Sequence, residues 1–248
     1  MKNISSVNNQ YIKDLSLLKN KKNRIQENKY IIEGHHLVEE AYKAGVLKEV
    51  LTTDENITFD VPTILVTDAI ISKLSSTKEP QGIIGIVEMQ KPVWRSYSKY
   101  LILDDVSDPG NLGTIIRSSA ALGIDAIIVS LDTVDEYNDK VLRATQGAIF
   151  KIPIFRMNIS EAIAKLKKDD TKIIVTSLQN SSDLKTIQKP KKFGIVLGNE
   201  ASEGYTFPTV DENISIRFVM IYLKVMIVPY IIQMIWKVRL TRLILMLI

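Results

Sequence analysis

Cysteine is absent from the 248 residues, which excludes disulfides, a thiolate zinc site and a cysteine nucleophile and suits a reducing cytosol. Histidine is almost absent. His35 and His36 are adjacent, so on a helix they point about 100° apart and make a poor metal pair. "PGNLGT" does not satisfy the dinucleotide fingerprint of glycines, and there is no Gly-Lys-Ser/Thr phosphate loop and no serine nucleophile elbow. The opening "MKNISSVNNQYIKDL" lacks the apolar stretch of a signal peptide. In the C-terminal tail, the longest uncharged stretch, Val225 to Trp236, falls short of the roughly 20 apolar residues of a spanning helix and contains Pro229. The expectation is a cytoplasmic protein with no metal and no membrane partner.

Charge is modest overall, at +4, but its placement is uneven. Residues 1–30 carry seven Lys and Arg against Asp14 and Glu27, a net of +5. Such an arm points weakly to a polyanionic partner, and a solvated helix face explains it equally well.

Hydrophobic periodicity divides the chain into two α/β runs. The first predicts a polar helix over 11–24, a strand at 29–32, a helix opened by "EGHHLVEEAYKAG" and ended by Gly45, and strands in "LKEVLTT" and "PTILVT". A helix in "DAIISKLSS", with Asp68 as N-cap, and a strand in "GIIGIVEM" complete it. The polar "QKPVWRSYSK" reads as a linker. The second run predicts strands at 100–105, 125–130, 152–155, 172–176 and 193–197. Its helices fall at 112–122, 138–147 and 160–168. Strands alternating with helices imply a mostly parallel, doubly wound sheet, with ligands beyond the carboxyl ends of its strands.

Two such ends carry polar motifs. "DDVSDPGNLGTIIRSSAALG" places Asn111 at a helix start and Arg117 two turns in, and "LGNEASEG" places Glu200 in a Gly-bounded loop. Each has an ordinary explanation: Asn111 as a helix cap, Arg117 as the partner of Asp104 or Asp105, Glu200 as a turn residue. At two strand ends of one sheet, they suggest a site together.

"DPGNLGTIIRSSAALG" resembles the first motif of the SpoU-type RNA ribose methyltransferases, in the trefoil-knotted superfamily, and "FGIVLGNEASEG" resembles the second. "NKYIIEGHHLVEEA" and "LSSTKEPQGIIGIV" look like the RNA-binding domain that precedes the catalytic one in a branch of that family. The resemblance implies an α/β protein with a small N-terminal substrate-binding domain over 1–92 and a Rossmann-like parallel-sheet domain over 99–216. Residues 217–248 form an atypical tail, which leaves the C-terminal knot incomplete. It implies methyl transfer from S-adenosylmethionine to a ribose 2′-hydroxyl, most naturally of ribosomal RNA, by a homodimer. In it Arg117, Asn111 and Glu200 are catalytic, and Thr176, Leu197, Gly198 and Ile216 hold the cofactor. Lys19, Lys21, Lys22, Arg24 and Lys78 meet RNA. An arginine, with a pKa of roughly 12.5–13.8, serves better as stabiliser of the forming alkoxide than as base.

The family's third motif should follow Ile216. Instead the tail from Asn213 holds five basic residues, no acid and otherwise almost wholly apolar residues. A change of reading frame near Arg217 explains the abrupt shift, and a divergent tail is the alternative. On the first view the chain is a catalytically impaired RNA-binding remnant. A membrane-associated protein using the tail is a third reading.

Overall fold

The computed structural model describes residues 2–176, 182–183, 190–198 and 211–215. They form two compact units, one of the described residues up to 91 with 135–151 and one of residues 92–134 with the described residues from 152 onward.

The first unit is a five-stranded mixed sheet. Its strands are β1 (Lys2–Ile4), β2 (Lys29–Glu33), β3 (Leu47–Thr52), β4 (Thr63–Val66) and β5 (Ile83–Glu88), in the order β1-β4-β3-β5-β2. β5 runs antiparallel to both β2 and β3, and β4 runs parallel to β1 and β3. Alternation along β5 sorts its side chains between two cores. Ile84 and Ile86 face α1 (Gln10–Leu17) and α4 (Asp68–Leu74), while Ile83 and Val87 face α3 (His35–Lys43). Gly85 keeps β5 close to its neighbours: an added Cβ would lie 2.9 Å from both the Ile32 and Leu47 side chains.

The expected single helix over 11–24 is two helices, α1 and α2 (Lys21–Glu27). Asn20 leaves helical geometry, and its side chain accepts a hydrogen bond from Lys22 N, starting a new helix. Gly45 ends α3 as expected, with φ of +71°. The cap of α4 is Thr67; Asp68 is the first helical residue, where its charge suits the helix dipole. β1 was not anticipated, because three residues show too little periodicity.

Residues 135–151 carry α6 (Asp139–Thr145) and a short 3₁₀ turn (Ala148–Phe150). The sequence pattern sets this stretch within 99–216, but its apolar side chains complete the first unit. Leu142 belongs to the core built on Tyr30, Leu37 and Val50, and Tyr137, Ile149 and Phe150 pack against that core.

The second unit is a seven-stranded sheet, with every pairing among the described residues parallel. Its elements are β6 (Lys99–Leu103), α5 (Pro109–Ala121), β7 (Ala126–Val129), β8 (Ile154–Arg156), α7 (Ile159–Lys167), β9 (Lys172–Thr176), β10 (Ser182–Asp183), β11 (Phe193–Leu197) and β12 (Glu212–Ser215). The strand order is β10-β12-β9-β11-β6-β7-β8. The central strands read as unbroken apolar runs, as strands covered on both faces do; Tyr100 to Leu103 and Ala126 to Val129 are fully buried. The linker is anchored to this unit through Trp94, whose ring meets Phe155 at 4.9 Å and carries Lys165 Nζ 3.9 Å from its centre.

Candidate active site

The chain leaves β6 toward β7 on one side and returns to fill β11 on the other. The strand order therefore reverses between β6 and β11, where ligands of such sheets bind. Leu103 and Leu197 end these strands in register. Asp104 N donates to Leu197 O at 2.9 Å and closes the two ends together. Gly198 follows, and among the described residues a Cβ built there would meet nothing within 4 Å. Room beside such a strand end suits the adenosine part of a nucleoside cofactor. Thr176 ends the neighbouring β9; only its backbone is described.

Asp105 takes a left-handed conformation, φ +52°, which Asp tolerates better than most side chains. Its amide donates to Ser130 Oγ at 2.9 Å. Ser130 Oγ also lies 2.9 Å from Thr133 Oγ1, so two buried hydroxyls fix the loop after β6 to the loop after β7. Burial raises the Asp104 carboxyl above the usual carboxylate range, the charges of Asp105 and Asp132 raise it further, and a hydrogen bond from Ser130 opposes them.

The next four residues start α5. Asp108 is its cap, accepting from Asn111 N at 2.7 Å, and Pro109 occupies the first helical position. Asn111 is therefore not the cap. It lies in the first turn, half-buried, with its side-chain amide unbonded among the described residues. Arg117 follows about 9 Å further along the axis, on a helix whose side chains lean back toward its start. It is exposed and forms no ion pair among the described residues, with Asp104, Asp105 or any other acid. The helix thus presents an amide and a guanidinium that are unengaged among the described residues. Glu200 and Ile216 lie outside the described residues, as does the tail 217–248.

Arg156 is not singled out by the sequence. Its guanidinium donates to the carbonyls of Ser130, Leu131, Thr133 and Val134 at 2.7–3.2 Å, holding the β7 loop by its backbone. The one available signal was an arginine closing an apolar strand.

The basic residues assigned to RNA separate into two groups. Lys21, Lys22 and Lys78 are exposed and unpaired among the described residues. Lys19 donates to Lys73 O and Ser75 O, both at 2.9 Å. Arg24 is buried, bonded to the carbonyls of Leu18 and Lys19 and paired with Asp135. Arg24 thus belongs to the interior of its unit rather than to a solvated arm. Among the described residues, no cluster of three or more His, Asp or Glu is placed to hold a metal ion, and no helix is long and apolar enough to cross a membrane.

Comparison with known proteins agrees with this arrangement. Residues 98–214 match the SpoU rRNA methylase family, and residues 9–85 match the MRM3-like substrate binding domain. The chain is 38% identical over 208 residues to the 23S rRNA (guanosine(2553)-2'-O)-methyltransferase RlmP of Bacillus subtilis, covering 82% of this chain and 84% of that one. It is 31% identical over 198 residues to the mouse mitochondrial rRNA methyltransferase 3, covering 73% of this chain and 47% of that one. The fold superposes on the S-adenosylmethionine-bound rRNA methyltransferase of Sinorhizobium meliloti with a TM-score of 0.80, at 27% identity and 97% coverage of both chains. A methylase domain on one unit, a substrate-binding domain on the other and a relative matched over most of both lengths establish the family: the chain belongs to the SpoU rRNA methylases.

Proposed function

We propose that the chain methylates a ribose 2′-hydroxyl of ribosomal RNA. The observation that carries this is Arg117, a guanidinium exposed and unengaged among the described residues, on the helix that opens at the reversal point of a parallel sheet. Gly198, Leu197 and the end of β9 at Thr176 hold S-adenosylmethionine, which when bound supplies the methyl as part of a sulfonium. The raised Asp104 carboxyl and Asp105 stand at the same strand ends, where negative charge suits a cationic ligand.

A sugar hydroxyl is a weak nucleophile until its proton is drawn away. Arg117 stays protonated and stabilises the oxygen's developing charge with fixed donors. Docked RNA excludes water from the helix and strengthens that interaction. Asn111, in the first turn of the same helix, orients the ribose or its phosphate, and Glu200 orients Arg117. Lys21, Lys22 and Lys78 hold phosphates, which positions the RNA without reading its sequence. The enzyme acts in the cytoplasm and needs no metal, since a sulfonium is already a good leaving system. The rRNA-methylating relatives support this reading over that of an impaired remnant.

Methyl transfer from labelled S-adenosylmethionine to ribosomal RNA tests it. Wild type transfers label and Arg117→Ala loses at least about 100-fold, with unchanged cofactor affinity by calorimetry. Equal transfer by both proteins would remove Arg117 from the mechanism.

A further inference from the structure

The first unit holds a cavity of about 150 Å³ bounded by α2, β2 and α6. Its inner wall is apolar, with Ile32, Leu74 and Leu142 beside the ring of Tyr137, itself 4.6 Å from that of Tyr30. Its rim is polar and mostly engaged. Glu33 accepts from Ser75 Oγ at 2.5 Å, from Ser76 N at 3.3 Å and from Thr77 Oγ1. Arg143 donates to Ser76 Oγ at 2.7 Å and pairs with Asp139 at 3.0 Å. Lys19 is held by two carbonyls. Arg24 is the exception. It lines the cavity at 7% exposure, and its Nε has no hydrogen-bond partner among the described residues. That atom is closed to solvent, so Arg24 borders the cavity with the rest of its side chain and not with Nε.

We propose that this cavity takes one unstacked base of the RNA, with the base ring against Tyr137 and its polar edge toward the rim of Glu33, Ser76 and Arg143. The inference rests on RNA being the substrate. Proteins read RNA largely through unstacked bases laid on aromatic side chains. At about 10–15 Å³ per water-sized group the cavity holds roughly ten such groups, the scale of one base. A bare phosphate fits poorly, because Glu33 and Asp139 face the same space and its cations are already bonded. A base carries both donors and acceptors and meets such a rim. Three stretches far apart in sequence build the site, within 18–37, 74–76 and 137–143.

Amide NMR on the full chain tests the proposal without any methyl donor, titrating adenosine, guanosine, cytidine, uridine and inorganic phosphate separately. At least one nucleoside should shift the amides of Ser76, Tyr137 and Arg143, and phosphate should not. Ser76→Trp, on the exposed rim, should abolish those shifts and weaken affinity for a 23S rRNA fragment about tenfold, leaving S-adenosylmethionine affinity unchanged. Ser76→Arg covers the same rim if the Trp variant does not fold. The proposal is overturned if no nucleoside moves these amides, if phosphate alone does, or if the folded rim variant binds as wild type. Nucleoside binding without methyl transfer would refute the proposed function and leave the cavity's role intact; methyl transfer without nucleoside binding would do the reverse.

Discussion

Arg117 lies in solvent, so bulk water screens its charge until RNA covers α5. Its geometry then matters more than its charge. Arg117→Lys keeps the charge but not the planar fork of donors, and should fall at least about 100-fold in kcat. Thermal stability should stay within about 0.5 kcal/mol, since an exposed unpaired side chain supports little structure. Near-normal turnover by the Lys variant would contradict the role given to the fork. Asp104 gives a second prediction, in pH. Burial foremost, then Asp105 and Asp132, raise its folded pKa above the unfolded value of about 3.9. The unfolded chain therefore releases this proton first, and the folded state holds more protons over that window. Its contribution to stability is complete below about pH 3.9 and is lost as pH rises through the raised value. Between pH 3.5 and 7, the stability of wild type relative to Asp104→Asn should fall as pH rises; parallel melting curves would mean that Asp104 is not desolvated in solution.

Among the elements, α2 shows how a charged run misleads. "KKNR" looks like a solvated face, and Lys21 and Lys22 do lie on one, but Arg24 turns inward to Asp135, 111 residues away. Nothing local announces such a partner. Arg24→Ala leaves a largely buried carboxylate unpaired and should cost about 3 kcal/mol, read by urea unfolding. A loss below about 1 kcal/mol would show the pair to be solvated. The strand-rich second unit was far more legible, because β6, β7, β9 and β11 are unbroken apolar runs between polar turns. Its helix α5 begins at Pro109, three residues before the periodicity starts, because Asp108 caps it and Asn111 does not. The break between α1 and α2 is hidden in the sequence, since no Gly or Pro marks it. Arg156 is hidden too, because the four acceptors it meets among the described residues are main-chain carbonyls, which no side-chain pattern encodes.

Across the whole molecule, the division of labour follows the two units, with residues 135–151 lent to the first. On the proposed function, three exposed lysines of that unit, Lys21, Lys22 and Lys78, carry the electrostatic share of RNA binding. Neutralising all three should reduce the slope of log affinity against log salt by up to about 0.7–0.9 for each phosphate that a lysine no longer neutralises. Neutralising Lys19, already bonded to carbonyls, should change it little. An unchanged slope in the triple variant would place the RNA elsewhere. The chemistry is tested most directly by the product. Ribosomal RNA labelled by the full chain with methyl-tritiated S-adenosylmethionine can be hydrolysed in alkali, which cannot cleave beside a 2′-O-methyl ribose. The account predicts label in alkali-resistant dinucleotides at one position, and none with Arg117→Ala. Label released as a mononucleotide carrying a methylated base, or no label transferred at all, would contradict it.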